Sequence, residues 1–145
     1  MQELYIRQFK LIDLERIYEI ECASFEYPWA KADFAYYYLS ADGFFVAVMN
    51  NFIVGFIVAE IPFPSTGHIL NLAVDPKYRR LGIGSSLVNH VTKWFKGKGV
   101  KKMWLEVRVS NIGARAFYKK LGFKEERILR NYYYTEDAIL MVKEI

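Results

Sequence analysis

The residues best suited to chemistry lie in one stretch, Val74-Asp75-Pro76-Lys77-Tyr78-Arg79-Arg80-Leu81-Gly82-Ile83-Gly84-Ser85. Gly82 and Gly84 let backbone N–H groups approach a ligand with no Cβ in the way. They open a strong helical pattern, and the N-terminus of a helix attracts anions through its unpaired N–H groups and its dipole. Arg79 and Arg80 add positive charge beside it. This is the chemistry of a pyrophosphate cradle. A dinucleotide fingerprint would need glycine at Leu87 and a turn directly after the strand, whereas a polar-rich stretch intervenes here. A Walker A loop would need a Gly-Lys-Ser/Thr ending, which is missing. A glycine-eased turn with a solvated arginine pair stays open as the plain alternative.

Glu106 is the second candidate. Met103, Leu105, Val107 and Val109 alternate on one face of a strand, so Trp104, Glu106 and Arg108 share the other. A carboxylate in the middle of a covered strand is costly unless it is paired or functional. It is either a base or half of a Glu106–Arg108 ion pair. Tyr118, between Phe117 and Phe123, is on spacing alone open between a core aromatic and a site residue. The single cysteine, Cys22, has no histidine near it in sequence and is expected to be a small buried hydrophobe. His68 and His90 offer no metal-ligand spacing and are expected to be structural, so no metal is implied.

The elements that must position these residues follow from periodicity. Leu4 to Phe9 alternates as a strand. Leu14, Ile17, Tyr18 and Glu21 make a helical stripe that ends at a charge. Phe25-Glu26-Tyr27-Pro28-Trp29 breaks that helix before its proline. A second helix over Lys31 to Leu39 aligns Phe34, Tyr37 and Tyr38. Gly43–Met49 and Phe52–Ile61 predict strands joined at Asn50-Asn51, a tight-hairpin signal. Pro62 to Gly67 predicts a loop and His68 to Val74 a strand. Gly82 to Lys96 predicts a helix, with Ile83, Leu87, Val91 and Phe95 at steps of four and glycines just beyond. Lys101 to Val109 predicts a strand and Ala114 to Leu121 a helix. Two last strands flank Thr135-Glu136-Asp137. The order βααβββ–αβαββ implies an α/β protein whose sheet carries both antiparallel hairpins and a βαβ crossover.

A chain of 145 residues suits one domain over 1–145 and is long enough to bury roughly 70% of its unfolded surface. Phe44 to Ile61 is interrupted by Asn50, Asn51, Gly55 and Glu60, so no membrane span is expected, and Glu3 and Arg7 argue against a secretory signal. One cysteine allows no internal disulfide, which suits a reducing cytoplasm. A net charge of +4 favours an anionic partner: a phosphorylated cofactor, an acidic surface or nucleic acid.

Two segments resemble the GNAT acetyltransferase superfamily. Arg79-Arg80-Leu81-Gly82-Ile83-Gly84 is similar to its acetyl-CoA pyrophosphate motif. Asn111-Ile112-Gly113-Ala114-Arg115-Ala116-Phe117-Tyr118-Lys119-Lys120-Leu121-Gly122-Phe123 is similar to its downstream motif. Trp104-Leu105-Glu106-Val107-Arg108, and Arg130-Asn131-Tyr132-Tyr133 before Glu136-Asp137-Ala138, are similar to the protein N-terminal acetyltransferases of RimI and archaeal type. The resemblance implies a mixed, mostly antiparallel sheet of about seven strands with about four helices. It also implies acetyl-CoA as co-substrate. Leu72, Ala73 and Val74 would meet the pantetheine arm, residues Arg79, Arg80, Leu81, Gly82, Ile83, Gly84 and Ser85 the pyrophosphate, and Asn111 the cofactor. Glu106 would be the general base. Tyr118 would touch the cofactor and give a proton to the sulfur.

The acceptor implied is the α-amino group of a protein or peptide, a ribosomal protein among the candidates. Phe25, Glu26 and Tyr27, as far as Trp29, would hold it together with Tyr132 and Tyr133. The related archaeal and eukaryotic pattern is Glu-Asn-Tyr-Pro, where this chain has Phe25-Glu26-Tyr27-Pro28. A lysine or small-amine acetyltransferase is the alternative. A basic nucleic-acid-binding module using Lys96, Lys98, Lys101, Lys102, Lys119 and Lys120 is remote, because no stacking motif of an RNA-binding sheet is present.

Overall fold

The computed structural model describes residues 3–145. The elements are β1 (Leu4–Gln8), α1 (Leu14–Ser24), α2 (Lys31–Ser40), β2 (Gly43–Met49), β3 (Phe52–Phe63), β4 (Thr66–Val74), α3 (Ile83–Gly97), β5 (Lys102–Arg108), α4 (Ile112–Lys120), β6 (Lys124–Leu129) and β7 (Ala138–Glu144). The seven strands make one sheet in the order β1-β2-β3-β4-β5-β7-β6. The pairs β1–β2, β2–β3, β5–β7 and β6–β7 are antiparallel, while β4 and β5 run parallel across the α3 connection. The hairpins and the βαβ crossover are those that the element order implied, and the mixed, mostly antiparallel sheet is the one that the resemblance implied.

The chain forms two compact units, Met1–Glu60 with Asn71–Trp94, and Ile61–Leu70 with Phe95–Ile145. In the first unit, every residue of β2 is buried, as are Ile53 to Ala59 of β3. Their near-continuous apolar runs suit strands covered on both faces. Ile17 and Ile20 of α1, Phe34 of α2 and Leu87 and Val91 of α3 are all buried with them. Phe34 meets Phe56 edge-on with ring centres 5.4 Å apart. Asn50 and Asn51 both take positive φ, 53° and 62°, as a two-residue hairpin turn with the twist of its strands requires. At Gly55 a Cβ would come within 3.0 Å of the Ala73 carbonyl and 3.2 Å of Leu87. The glycine therefore sets how closely β3 approaches β4 and α3.

In the second unit, Met103, Leu105 and Val107 of β5 are buried together with Ala138, Ile139 and Met141 of β7, and with Phe95 and Phe123. Gly67 takes the ring of Phe95 where a Cβ would lie 2.6 Å from it. The parallel register sets Thr66 opposite Lys102, Gly67 opposite Met103 and His68 opposite Trp104.

Two predicted boundaries shift. The loop expected over Pro62 to Gly67 is only a turn, because β3 continues through Pro62 to Phe63 and β4 starts at Thr66. Proline's fixed φ and missing N–H are tolerated at a strand's end. The connection between the last strands also exceeds Thr135–Asp137, since β6 ends at Leu129 and β7 begins at Ala138. Among the described residues, no helix is long and apolar enough to cross a membrane.

Candidate active site

In the first unit, the glycine turn is built from Asp75 onward. One carboxylate oxygen of Asp75 accepts from the Lys77 N–H at 2.9 Å and caps a short 3-10 turn, Pro76–Tyr78. The other oxygen accepts from Arg16 at 2.5 Å, and Arg16 also donates to the Ile53 carbonyl at 2.9 Å. Arg16 and the Lys77 N–H outweigh the effect of burial and hold the Asp75 carboxyl below its usual range. The turn is thus anchored at its base.

Beyond it, Arg79, Arg80, Leu81 and Gly82 are exposed. Arg80 at φ 66° and Gly82 at φ 77° are both left-handed. The first intrahelical bond of α3 runs from the Ser86 N–H to the Gly82 carbonyl at 3.0 Å. The N–H groups of Ile83, Gly84 and Ser85 therefore have no acceptor within the helix. A Cβ on Gly82 would find no protein atom within 4 Å. An open, glycine-lined helix start beside two exposed guanidinium groups fits an anionic diphosphate. Leu72, Ala73 and Val74 form the end of β4 leading into it.

The segment between α1 and α2 lies in the same unit. Phe25 is half-buried, while Glu26 and Tyr27 are exposed. Trp29 stacks on Tyr37 at 5.0 Å, and its N–H donates to Glu21 Oε2 at 2.9 Å. Glu21, expected at the margin of a helical stripe, is instead fully buried. Cys22, expected to be buried, is exposed, because it falls one position beyond the Ile17–Ile20–Glu21 face that α1 turns inward.

In the second unit, β5 shows the expected alternation of buried Met103, Leu105 and Val107 with half-buried Trp104, Glu106 and Arg108. The Glu106 side chain is 13% exposed, and its Oε1 lies 2.6 Å from Nε2 of His68. A carboxylate only accepts, so Nε2 must carry the hydrogen in this pair. The His68 ring stacks on Trp104, with centres 4.9 Å apart. Arg108 donates to Thr135 at 2.9 Å and to Glu136 at 3.3 Å, and its guanidinium lies over the Tyr133 ring at 4.1 Å.

Tyr133 donates from its hydroxyl to the Glu106 carbonyl at 3.4 Å. Burial first, then the Glu106 charge, push its phenol above the usual value. Tyr132 is 50% exposed. Tyr118 is buried, 8% exposed, and burial first, with Tyr133 second, drives its phenol well above the ordinary range. Asn111 caps α4, its Oδ1 accepting from the Ala114 N–H at 3.1 Å.

These features agree with a comparison of the whole chain with known families: the profile of the acetyltransferase (GNAT) family matches residues 14–123. The chain belongs to the GNAT acetyltransferase family. This acetyltransferase is 36% identical over 144 residues to the [ribosomal protein bS18]-alanine N-acetyltransferase of Escherichia coli K12, covering 97% of each chain. It is 35% identical to an N-alpha-acetyltransferase of Sulfurisphaera tokodaii, covering 97% of this chain and 92% of that one. The crystal structure of Ard1 from Thermoplasma volcanium superposes with a TM-score of 0.93 at 31% identity, covering 98% of this chain and 97% of that one.

Within the acetyltransferase, Glu106, Tyr133 and Tyr118 come together in one unit, and His68 joins them. His68 was expected to be structural, because its approach to Glu106 depends on the parallel β4–β5 register. Among the described residues, no group of His, Cys, Asp and Glu side chains is placed to hold a metal ion.

Proposed function

We propose that this acetyltransferase takes its acetyl group from acetyl-CoA and transfers it directly to the free α-amino group of a protein or peptide, ribosomal proteins included. Residues 1–145 act as a single acetyltransferase domain, a reading supported by the family profile running through both compact units. The chain works in the cytoplasm, consistent with its one exposed thiol.

One observation carries the chemistry. Glu106, sheltered on β5 and oriented by His68, shares a unit with the buried phenol of Tyr118, which Tyr133 links to it. Acyl transfer from a thioester needs a neutral amine, a stabilised oxyanion and a donor for the departing sulfur. In this proposal Glu106 takes one proton from the acceptor's ammonium, through a water where the distance requires it, and the freed amine attacks the thioester carbonyl carbon. Burial keeps the Tyr118 phenol protonated, so its hydroxyl can bond the sulfur as the carbon–sulfur bond breaks. The phenol passes its proton to the sulfur as the carbon–sulfur bond breaks and regains one from the nitrogen, which sheds its extra proton as the amide forms.

The turn residues Arg79 to Ser85 hold the pyrophosphate, Leu72 to Val74 the pantetheine arm, and Asn111 a further part of the cofactor. Phe25, Glu26, Tyr27 and Trp29, with Tyr132 and Tyr133, hold the acceptor. The likeness to two enzymes whose names specify alanine or α-amino acetylation supports an N-terminal acceptor. Chemistry agrees: freeing the lone pair of a lysine at neutral pH costs about 3 kcal/mol more than freeing that of an α-amine.

The test is one peptide in two forms, N-terminus free or blocked, each with the same internal lysine. The free form should be acetylated and the blocked form left almost untouched. Equal rates would make the protein a lysine acetyltransferase.

A further inference from the structure

Glu21 is the buried charge that the reaction does not use. It projects from α1, is 1% exposed, and among the described residues no lysine, arginine or histidine pairs with it. Each carboxylate oxygen accepts one hydrogen bond. Oε2 accepts from the Trp29 N–H and Oε1 from Asn71 Nδ2, both at 2.9 Å. Burial pushes the carboxyl above its usual range against the pull of those two donors. A carboxylate out of water and without a cation is expensive to keep. An aliphatic residue would fill the same position on the Ile17–Ile20 stripe without that penalty.

The two hydrogen bonds join three pieces of chain. Glu21 belongs to α1. Trp29 ends the irregular segment 25–30, whose middle residues Glu26, Tyr27 and Pro28 are exposed. Asn71 stands on β4 immediately before Leu72. At either end of the segment, the helices supply only their own terminal bonds: Phe25 N–H to the Glu21 carbonyl, and Ala30 N–H to Asp33. The Glu21 side chain ties the segment to the sheet.

We propose that Glu21 is a positioning residue for the acceptor, clamping the Phe25–Trp29 segment to β4 at Asn71. The clamp fixes where the acceptor lies relative to the backbone of Leu72 to Val74. This rests on the reading above that Phe25–Trp29 holds the acceptor.

Donor and acceptor roles make a swap test possible. Asn71→Asp sets a carboxylate against the Glu21 carboxylate with no donor between them. Adding Glu21→Gln restores the match, since the new amide donates to the new carboxylate while its oxygen still accepts from the Trp29 N–H. Glu21→Gln alone should stay close to wild type, because Asn71 can turn its amide over and accept. Asn71→Asp should raise KM for a free-N-terminus peptide about tenfold, with coenzyme A affinity held within about twofold. The double variant should return KM to within about threefold of wild type.

The second readout needs no substrate. Hydrogen exchange at the Trp29 amide should quicken in Asn71→Asp and slow again in the double variant. Unchanged Trp29 exchange in folded Asn71→Asp, or a double variant no better than that single one, overturns the clamp. If exchange follows the pattern while peptide KM does not move, the clamp is structural and the positioning role fails. If wild type instead acetylates the blocked peptide, the acceptor reading fails, and the clamp is judged on exchange and on KM for that lysine peptide. Should Asn71→Asp not fold, Asn71→Leu removes the donor alone and carries the same expectation, with unaltered KM and exchange again overturning the proposal.

Discussion

The proposed base, Glu106, would need its orientation fixed, and His68 lies against it at 2.6 Å while resting on Trp104. In its proposed role as proton donor, Tyr118 faces the opposite demand, since it has to stay protonated. Its burial drives the phenol upward, so the donor form persists above the usual tyrosine range near ~10. Glu106→Gln and Tyr118→Phe should each lower kcat by about 10²-fold while coenzyme A still binds. Thiol release measured with saturating peptide and acetyl-CoA checks both, and near-normal turnover in either removes that residue from the mechanism. The Tyr118→Phe defect should also be the same factor at pH 7 as at pH 9.5, because the raised phenol does not ionise across that interval. At this scale, alternation made the face shared by Trp104, Glu106 and Arg108 legible in the sequence. The partner of Glu106 was not, because His68 lies on another strand and only the parallel register brings it near. The burial of Glu21 was hidden for the same reason: Trp29 and Asn71, which satisfy it, are 8 and 50 residues away.

Elements are held as well as placed by such pairs. Arg115 and Lys119, one turn apart on α4, both reach Glu125 on β6. Arg115 approaches with two nitrogens at 3.0 and 3.1 Å and Lys119 at 3.0 Å. The Arg115 and Lys119 hydrogen bonds hold the Glu125 carboxyl at about 2. A folded-state value below the unfolded one, near ~4.3, stabilises the protein above that unfolded value and is lost as pH falls through the folded one. Glu125→Gln should therefore lower Tm at pH 7, and the gap from wild type should close between about pH 4 and pH 2. Added salt should narrow the gap too, since the Glu125 side chain is 24% exposed. A gap independent of pH in thermal melts would assign the loss to packing. Helix α3 was legible because its apolar residues recur every fourth position between glycines. The bounds of the β3–β4 turn were not, since Pro62 and Gly67 carry loop signals that the strands override.

At the scale of the whole molecule, a ligand that binds only the folded chain raises its stability by mass action. Free coenzyme A at 100 times its Kd adds about 2.7 kcal/mol, which for a chain of this size is about 5–10 °C in Tm. The net charge of +4 would favour any polyanion, so the shift itself does not locate the diphosphate. Gly82→Ala does. Its backbone sits at φ 77°, so alanine is strained and the ligand-free Tm should fall somewhat. Its new Cβ meets no protein atom within 4 Å, so it projects into open space at the helix start, where the pyrophosphate would lie. The variant should therefore lose most of the Tm rise with coenzyme A while remaining folded. A short single-stranded RNA in physiological salt should give no rise in either protein, since non-specific phosphate contacts dissolve as salt increases. If Gly82→Ala keeps the full rise with coenzyme A, the diphosphate is not held at this turn, and the assignment of Arg79 to Ser85 fails whichever amine the enzyme acetylates.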